Sequence, residues 1–149
     1  MISGISRGQT VAVTLGGTSS ERSISLLSGE NVALALEQAG AKVLRVDTSE
    51  EGWAGQLKQA TFVFNLLHGP GGEDGRLQSV FEFMGMPYSG SGVLGSALAM
   101  DKIRAKQIWL GAGLPTPSFS ILNVMSNWHQ IIDCHSKVFV KPAYEGSSL

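Results

Sequence analysis

The sequence is poor in cysteine, in net charge and in long apolar runs, and each shortage excludes a class of protein. Cys134 is the single cysteine among 149 residues, which rules out an internal disulfide and favours a reducing compartment. The 11 basic and 12 acidic residues leave a net charge of −1, so the chain offers nucleic acid no basic surface. No apolar run approaches the ~20 residues that a membrane span needs. We therefore expect a cytoplasmic protein that binds neither nucleic acid nor membranes.

The residues that are present have the composition of one globular domain. Hydrophobic residues make up 43% of the chain and charged residues 15%, which excludes intrinsic disorder. A chain of this length buries roughly 70% of the surface that it exposes when unfolded. Residues 1–8 lack the apolar core of a signal peptide, and we expect them to form a flexible tail.

Strands and helices alternate through the first hundred residues. Apolar, β-rich segments predict three strands at Thr10–Leu15, Lys42–Asp47 and Phe62–Leu67. Helices are expected at about Ser23–Gln38 and Trp53–Gln59. The clearest helical signal follows the third strand, where apolar residues stand at i, i+3, i+4 and i+7: Leu77, Val80, Phe81 and Met84. This alternation predicts an α/β fold with helices on both faces of a parallel sheet.

A second structural unit is expected to begin near residue 105. Asp101 can cap a helix that runs to Leu110. Beyond it, two strands are predicted on either side of a short helix near Trp128–Asp133, at Phe119–Leu122 and Val138–Lys141. The last eight residues form a polar loop, so we expect this unit to be incomplete. Without sheet partners, its strands should be loose or prone to aggregation.

Three polar segments follow predicted strands, at the edge where parallel sheets bind ligands: Gly16–Glu21, His68–Asp74 and Glu145–Ser148. The most informative stretch is His68–Gly75, which holds one imidazole, two adjacent carboxylates and four glycines in eight residues. Such a loop can fold tightly around a small polar ligand. Its carboxylates can also cap the following helix, and both interpretations can hold together. A metal site formed by His68, Glu73 and Asp74 is less favoured, because no further ligand stands nearby.

The other two segments each have a functional and a plainer interpretation. Glu21 lies in a loop before a helix, where backbone N–H groups attract anions. Its carboxylate would repel an anion and favour an ammonium group, or it could simply complement the helix dipole. Lys141 could neutralise a phosphate beside Ser147 and Ser148, or it could be a strand-end lysine in water. Lys102 has the same two interpretations.

Five motifs in register resemble D-alanine–D-alanine ligases of the ATP-grasp superfamily, over about Thr10 to Leu149. The motifs are Gly16-Gly17-Thr18-Ser19-Ser20-Glu21-Arg22, His68-Gly69-x-x-Gly72-Glu73-Asp74-Gly75-x-Leu77-Gln78, Pro87-Tyr88-x-Gly90-Ser91-Gly92, Met100-Asp101-Lys102 and Val140-Lys141-Pro142-x-x-Glu145-Gly146-Ser147-Ser148. The second is the most specific. Ser23 stands where the family usually has Glu, so no carboxylate role is assigned there.

The resemblance implies a domain organisation and a reaction. Residues 9–104 would form a Rossmann-like, pre-ATP-grasp amino-terminal domain, and residues 105–149 the incomplete beginning of an α+β ATP-grasp domain. In the family, ATP phosphorylates the carboxylate of a first D-alanine. The amine of a second D-alanine then attacks the acyl phosphate, and the dipeptide serves peptidoglycan synthesis. The implied cofactors are ATP and Mg²⁺, and the implied assembly is a homodimer.

The resemblance also implies roles for individual residues. Glu21 would hold the ammonium group of the first D-alanine, and Ser147 would hydrogen-bond towards Glu21 and help position the reacting groups. His68 would lie beside the carboxylate of the same substrate. The residues implied to bind ATP are Lys102, Lys141, Glu145, Ser147 and Ser148.

The family's Mg²⁺ ligands have no counterpart before Leu149, so we expect no metal ligand and no useful activity in the isolated chain. A non-catalytic D-alanine-binding or dimerisation module remains an alternative, as does one half of a split ligase. The second substrate stays open among D-alanine, D-lactate and D-serine.

Overall fold

A buried strand, β1 (Thr10–Leu15), lies at the centre of a parallel sheet. The computed structural model describes residues 8–133 and 137–144. Strand β2 (Lys42–Asp47) pairs with one edge of β1 and strand β3 (Phe62–Asn65) with the other, so that Val13 stands opposite both Arg45 and Phe64. Val11, Ala12 and Val13 are fully buried, as expected for an apolar strand covered on both faces.

Helices follow each strand. They are α1 (Arg22–Gln38), α2 (Trp53–Gln56), α3 (Arg76–Phe83), α4 (Val93–Met100), α5 (Lys102–Gly111) and α6 (Trp128–Asp133), and a short 3₁₀ turn at Leu57–Gln59 extends α2. The predicted helices at 23–38, 53–59, 77–84 and 128–133 are confirmed to within a residue or two. Asp101 caps α5 as predicted, because its Oδ1 accepts hydrogen bonds from the N–H groups of Ile103 and Arg104.

The core has one layer on each face of the sheet, because successive side chains of a strand point to opposite faces. Val11, Val13 and Leu15 pack with Ala33 and Leu36 of α1. On the other face a second layer surrounds Ala12, and its largest members are Leu57, Leu67, Leu77 and Phe81. The predicted arrangement of helices on both faces of a parallel sheet is therefore confirmed.

Gly29 allows α1 to pack directly on the sheet. A Cβ atom at this position would lie 2.5 Å from the Cβ of Leu15, which is closer than real side-chain atoms approach. The α1 helix therefore lies with its first turns against the carboxyl end of β1. This packing places the amino-terminal part of α1 beside the polar loops that follow β1 and β3.

Three predictions about the elements need correction. Strand β3 ends at Asn65 rather than Leu67, and helix α4 was not predicted, because its eight residues form no polar face. The predicted strands Phe119–Leu122 and Val138–Lys141 are wrong, since neither segment is a strand among the described residues. A strand needs a neighbour for its backbone N–H and C=O groups, and an apolar run alone does not supply that neighbour.

Some predictions lie outside the described residues. These are residues 1–7 of the flexible tail predicted over residues 1–8, and the loop residues Glu145, Ser147 and Ser148. The domain boundary near residue 105 also stays a prediction. In the part of the chain that the structure describes, no helix has both the length and the apolar character that a membrane crossing requires.

Candidate functional site

Two glycine-rich loops meet at the carboxyl end of the sheet. The loop over residues 16–21 follows β1, and the loop over residues 66–75 follows the neighbouring strand β3. The Ser19 hydroxyl donates a 2.8 Å hydrogen bond to the main-chain oxygen of His68, which joins the two loops. Adjacent parallel strands place their carboxyl ends at one edge, where α/β sheets bind ligands. The first and second polar segments of the sequence therefore form one site.

The two loops line a cleft with a volume of about 200 Å³. Gly17, Thr18 and Ser19 form its wall on one side, and His68 and residues 70–72 form it on the other. Apolar side chains of Trp53, Leu67, Leu77 and Val80 complete it, together with Thr48 and Arg76. The cleft thus combines apolar walls with a few polar groups, as small-molecule sites do.

The carboxylates of the His68–Gly75 loop bind its own backbone. Glu73 Oε2 accepts a 2.7 Å hydrogen bond from the N–H of Gly69, and Asp74 Oδ2 accepts one of 2.9 Å from the N–H of Gly71. Asp74 Oδ1 also accepts from the N–H of Arg76, in the first turn of α3. Asp74 therefore supports the capping interpretation, whereas the hydrogen bond of Glu73 is with the loop and not with α3. Among residues 8–133 and 137–144, no group of three His, Cys, Asp or Glu side chains is arranged to hold a metal ion.

Two side chains hold the main chain of Gly72 in place within the loop. Its carbonyl oxygen accepts two hydrogen bonds of 2.8 Å, from Nδ2 of Asn65 and from Nε2 of Gln78. A Cβ atom at Gly72 would lie 2.3 Å from the Cβ of Leu67. Neither Asn65 nor Gln78 was predicted to have a role in the site. Their signal was present, because each is a polar residue in an otherwise apolar pattern, at the end of β3 and on the buried face of α3.

The imidazole of His68 lies between the loop and helix α1. Its Nε2 is 3.0 Å from the Ser28 hydroxyl, and its Nδ1 is 3.9 Å from Oε1 of Glu73. Helix α1 is also tied to the residues just before His68, because the Ser25 hydroxyl donates a 2.7 Å hydrogen bond to the Leu66 carbonyl. The ring is therefore half-buried and oriented by the side chains around it.

Glu21 is a buried carboxylate at the start of α1, with 4% of the residue exposed. Its N–H donates to the Ser19 hydroxyl at 3.2 Å, and its side chain forms no cap hydrogen bond with the helix. A Cβ atom added to Gly69 would lie 2.9 Å from Oε1 of Glu21, so the carboxylate lies directly beside the loop that carries His68. Of the two residues expected to bind substrate, His68 lines the cleft and Glu21 lies beside Gly69, the residue that follows His68.

An ion pair that the sequence analysis missed anchors the first loop. Arg22 donates to both carboxylate oxygens of Asp47, at 3.0 and 2.6 Å, and also to the Gly17 carbonyl. The N–H of Gly17 donates to the same carboxylate. The Arg22 guanidinium holds the pKa of the Asp47 carboxyl well below its usual range. The pair connects the loop after β1 with the end of β2. Because its two residues are 25 positions apart in the sequence, no local sequence pattern predicts it.

The residues implied to bind ATP are only partly described. The N–H of Lys102 donates a 3.0 Å hydrogen bond to the Ala143 carbonyl, which brings the start of α5 close to the segment that contains Lys141. Lys141 is exposed. Glu145, Ser147 and Ser148 lie outside the described residues, so their roles remain predictions. Ser23, at the position where the family usually has Glu, is exposed on α1.

Comparison with known proteins identifies the same family as the motifs. A family profile described as "D-ala D-ala ligase N-terminus" matches residues 50–91. The chain is 50% identical over 142 residues to "D-alanine--D-alanine ligase B" of Chromobacterium violaceum, and 49% identical over 142 residues to the D-alanine–D-alanine ligase of an Azoarcus species. The resemblance to the D-alanine–D-alanine ligases is confirmed. Both matches cover 93% of this chain and 46% of the relative, so the chain spans about half the length of the curated relatives it matches.

Solved structures of these ligases share the fold. The chain has a TM-score of 0.78 and 30% identity to the D-alanine–D-alanine ligase of Bacillus anthracis complexed with ATP, over 93% of this chain and 48% of that one. It has the same TM-score and 29% identity to D-alanyl-alanine synthetase A of Vibrio cholerae, over 96% of this chain and 50% of that one. The predicted α/β fold class is therefore confirmed.

Proposed function

We propose that Glu21, the His68–Gly75 loop and the cleft beside them bind the first D-alanine of a D-alanine–D-alanine ligase reaction. The observation that carries the proposal is the convergence of buried Glu21 with the His68–Gly75 loop at one edge of the sheet. A cavity of about 150 Å³ admits benzene, so the cleft of about 200 Å³ has room for a molecule as small as D-alanine.

The chemistry of the site suits a zwitterionic amino acid. Glu21 places a buried negative charge beside the loop that carries His68, and the ammonium group of D-alanine is a cation that would be attracted to this charge. The substrate carboxylate would then lie towards His68, and the apolar wall around Leu77 would face the methyl group. Fixing the substrate in one orientation lowers the barrier to its phosphorylation, because phosphoryl transfer depends mainly on positioning and electrostatics.

ATP is the proposed phosphoryl donor, and Lys102 and Lys141 are the residues proposed to neutralise its phosphates. The hydrogen bond from Lys102 N–H to Ala143 supports this pairing, because it brings their two segments together. Magnesium would stabilise charge on the transferring phosphoryl group when bound. The residues in 8–133 and 137–144 do not form a three-ligand site for it.

The proposed assembly is a cytoplasmic homodimer. Helix α1 supports it, because Ile24, Leu27 and Leu34 are apolar side chains that are 53%, 63% and 45% exposed, and contiguous apolar surface of this kind is typical of protein interfaces. Sedimentation equilibrium on the purified chain tests the assembly independently of ligand binding.

D-Alanine binding, measured by isothermal titration calorimetry, tests the proposed site. Glu21→Gln keeps the shape of the side chain and removes its charge, so we expect binding to weaken about 10- to 100-fold, the range for a lost charge-assisted hydrogen bond. Glu30→Gln is the matched control, because Glu30 is on the same helix but pairs with Arg45. L-Alanine controls for stereochemistry. Equal binding by wild type and Glu21→Gln, or no binding to wild type, would overturn the proposal.

Turnover is tested by D-alanine-dependent ADP release in the presence of ATP and Mg²⁺. We expect binding without release, because the chain spans about half the length of the ligases it matches. Release above a control without D-alanine would instead support a complete site formed by self-assembly or with a co-purifying second chain.

A further inference from the structure

The carboxylate of Asp47, at the end of β2, accepts hydrogen bonds from three separate segments of the chain. Its Oδ1 accepts from the N–H of Gly17 at 3.2 Å and from Nη1 of Arg22 at 3.0 Å, and its Oδ2 accepts from Nη2 of Arg22 at 2.6 Å. The N–H and the hydroxyl of Ser49 also donate to Oδ1, at 2.9 and 2.8 Å. Five donors therefore converge on one carboxylate, whose side chain is 13% exposed.

The glycine-rich loop after β1 approaches this carboxylate closely. Gly16 and Gly17 both have a φ of 73°, in the region that glycine enters without strain. A Cβ atom at Gly16 would lie 2.5 Å from Oδ1 of Asp47, the same oxygen that the N–H of Gly17 contacts. Backbone N–H groups between a strand and the following helix commonly bind phosphate in α/β proteins. In this chain a carboxylate of the protein itself lies against them.

Asp47 carries its negative charge at neutral pH. The Arg22 guanidinium is the main cause that holds the pKa of the Asp47 carboxyl well below its usual range, and the N–H groups of Ser49 and Gly17 act in the same direction. Hydrogen bonds to a charged acceptor are stronger than those to a neutral one. A phosphate approaching the loop would therefore be repelled by Asp47 and would have to displace it from its donors.

The same carboxylate fixes both ends of the segment that carries Glu21. Asp47 contacts Gly17 near the beginning of the loop and Arg22 at the first residue of α1. Nη1 of Arg22 also donates to the Gly17 carbonyl at 2.8 Å, which closes a ring of three residues. Between these two anchors, the N–H of Glu21 donates to the Ser19 hydroxyl. The place of the Glu21 backbone therefore depends on two residues that both contact Asp47.

We propose that Asp47 is a positioning residue whose carboxylate serves as the built-in anion of the loop after β1, excludes external phosphate and holds Glu21 in place for the substrate ammonium group. The link to substrate rests on the proposed function, whereas the exclusion of phosphate does not. The phosphates of ATP would then bind away from this loop, in agreement with the roles proposed for Lys102 and Lys141.

Amide NMR on the 149-residue chain without substrate tests the exclusion of phosphate. Spectra are recorded at neutral pH while inorganic phosphate is added at constant ionic strength. We expect no saturable shift of the Gly17 N–H in the wild type, and a saturable shift would overturn the proposal whether or not any variant folds. In Asp47→Ala, formate can replace the deleted carboxylate, so it should shift the Gly17 N–H and the Arg22 Nε–H saturably. A folded Asp47→Ala that does not respond to formate would also contradict the proposal.

Glu30→Ala is the matched control, because Glu30 also contacts an arginine through both of its oxygens, at 2.7 and 3.0 Å from Arg45. That pair lies outside the glycine-rich loop, and Glu37 also pairs with Arg45. Formate should therefore cause no saturable shift of the Arg45 Nε–H in Glu30→Ala. Sodium chloride at the same ionic strength separates binding at a site from screening of charges. Equal responses of Asp47→Ala to formate and to chloride would count against a built-in anion.

Calorimetry then tests the link to the substrate, at a temperature where every variant is folded. We expect Asp47→Ala to weaken D-alanine binding about 10-fold, as the loss of one charged hydrogen-bond partner predicts, and formate to restore most of the affinity. Glu30→Ala should bind D-alanine as the wild type does. Unchanged affinity in Asp47→Ala would remove the role in positioning Glu21. Absence of D-alanine binding in the wild type would contradict the proposed function, while the phosphate titration would still decide whether Asp47 closes the loop.

Discussion

The hydroxyl of Ser19 and the main-chain oxygen of His68 are 2.8 Å apart, although 49 residues separate them in the sequence. The same hydroxyl accepts a hydrogen bond from the N–H of Glu21. Ser19 therefore connects the backbone of the two residues that the proposed function assigns to substrate binding. The contact exists because β1 and β3 are neighbours in the sheet, so that the loops leaving them come together.

Ser19→Ala should affect D-alanine binding more than it affects the stability of the fold. It removes one hydrogen bond that joins the two loops and one within the first loop, and we expect a loss of about 1–2 kcal/mol in the free energy of unfolding, measured by urea denaturation. D-Alanine binding should weaken several-fold, because Glu21 and His68 lose their common support. Ser79→Ala serves as the control, because the Ser79 hydroxyl donates to the Arg76 carbonyl of its own helix. Wild-type affinity in Ser19→Ala would contradict the importance of this contact for the site.

Gly72→Ala should be strongly destabilising. The added methyl group would lie 2.3 Å from the Cβ of Leu67, and overpacking of this kind costs about 1–3 kcal/mol. Gly55→Ala is the control, because its Cβ would enter open space within a helix, where Ala is about 0.5–1 kcal/mol more favourable than Gly. Thermal unfolding should therefore move in opposite directions in the two variants. Equal melting temperatures would show that the loop near Leu67 adjusts at no cost.

Asn65→Ala should destabilise the loop through lost hydrogen bonds rather than a clash. Its Nδ2 donates to the Gly72 carbonyl, and its Oδ1 accepts from the Thr14 hydroxyl and the Leu67 N–H. We expect a loss of about 1–3 kcal/mol, because buried partners are left unsatisfied. Gln38→Ala, at an exposed amide on α1, should change stability little. Hydrogen exchange should also be faster in the Asn65→Ala loop, and unchanged exchange there would contradict the prediction.

The Arg22–Asp47 pair predicts how stability depends on pH. Because the pKa of Asp47 is lower in the folded chain than in the unfolded chain, the pair stabilises the fold above the unfolded value of about 3.9. This contribution is lost as the pH falls through the lower folded value. The stability difference between wild type and Asp47→Asn should therefore be largest near neutral pH and shrink below about pH 4.

Urea denaturation at a series of pH values measures that difference, with the exposed Glu51→Gln as the control. The Arg22 side chain is 42% exposed. Screening by solvent therefore limits how much the ion pair contributes to the free energy of unfolding. A difference between wild type and Asp47→Asn that stays constant on acidification would show that the ion pair does not act through charge.

Signals within a few residues of one another made much of the fold predictable. The apolar runs identified β1 and β2, and the spacing of Leu77, Val80, Phe81 and Met84 identified α3. The capping role of Asp101 was also local, because a cap acts on the next two or three residues. By contrast, the predicted strands at Phe119–Leu122 and Val138–Lys141 were wrong, because an apolar run contains no information about a pairing partner.

The residues of the candidate site could be predicted from the sequence, but the contacts between them could not. His68, Glu21 and the glycines between His68 and Gly75 are unusual in composition, so the sequence alone singled them out, and five motifs in register indicated the ligase family. The contacts of Ser28 with His68 and of Arg22 with Asp47 span 40 and 25 residues, and no periodicity predicts such pairs.

The sequence by itself determined the local elements, the family resemblance and the residue types available for chemistry, because these depend on neighbours along the chain. The tertiary structure decided which loops meet, which carboxylate is buried and which nitrogen of His68 faces the helix. Those outcomes follow from the strand order β2-β1-β3 and from the close packing of Gly29 on Leu15. Both depend on contacts between segments that are distant in the sequence. These contacts stabilise the chain only when the whole sheet has formed.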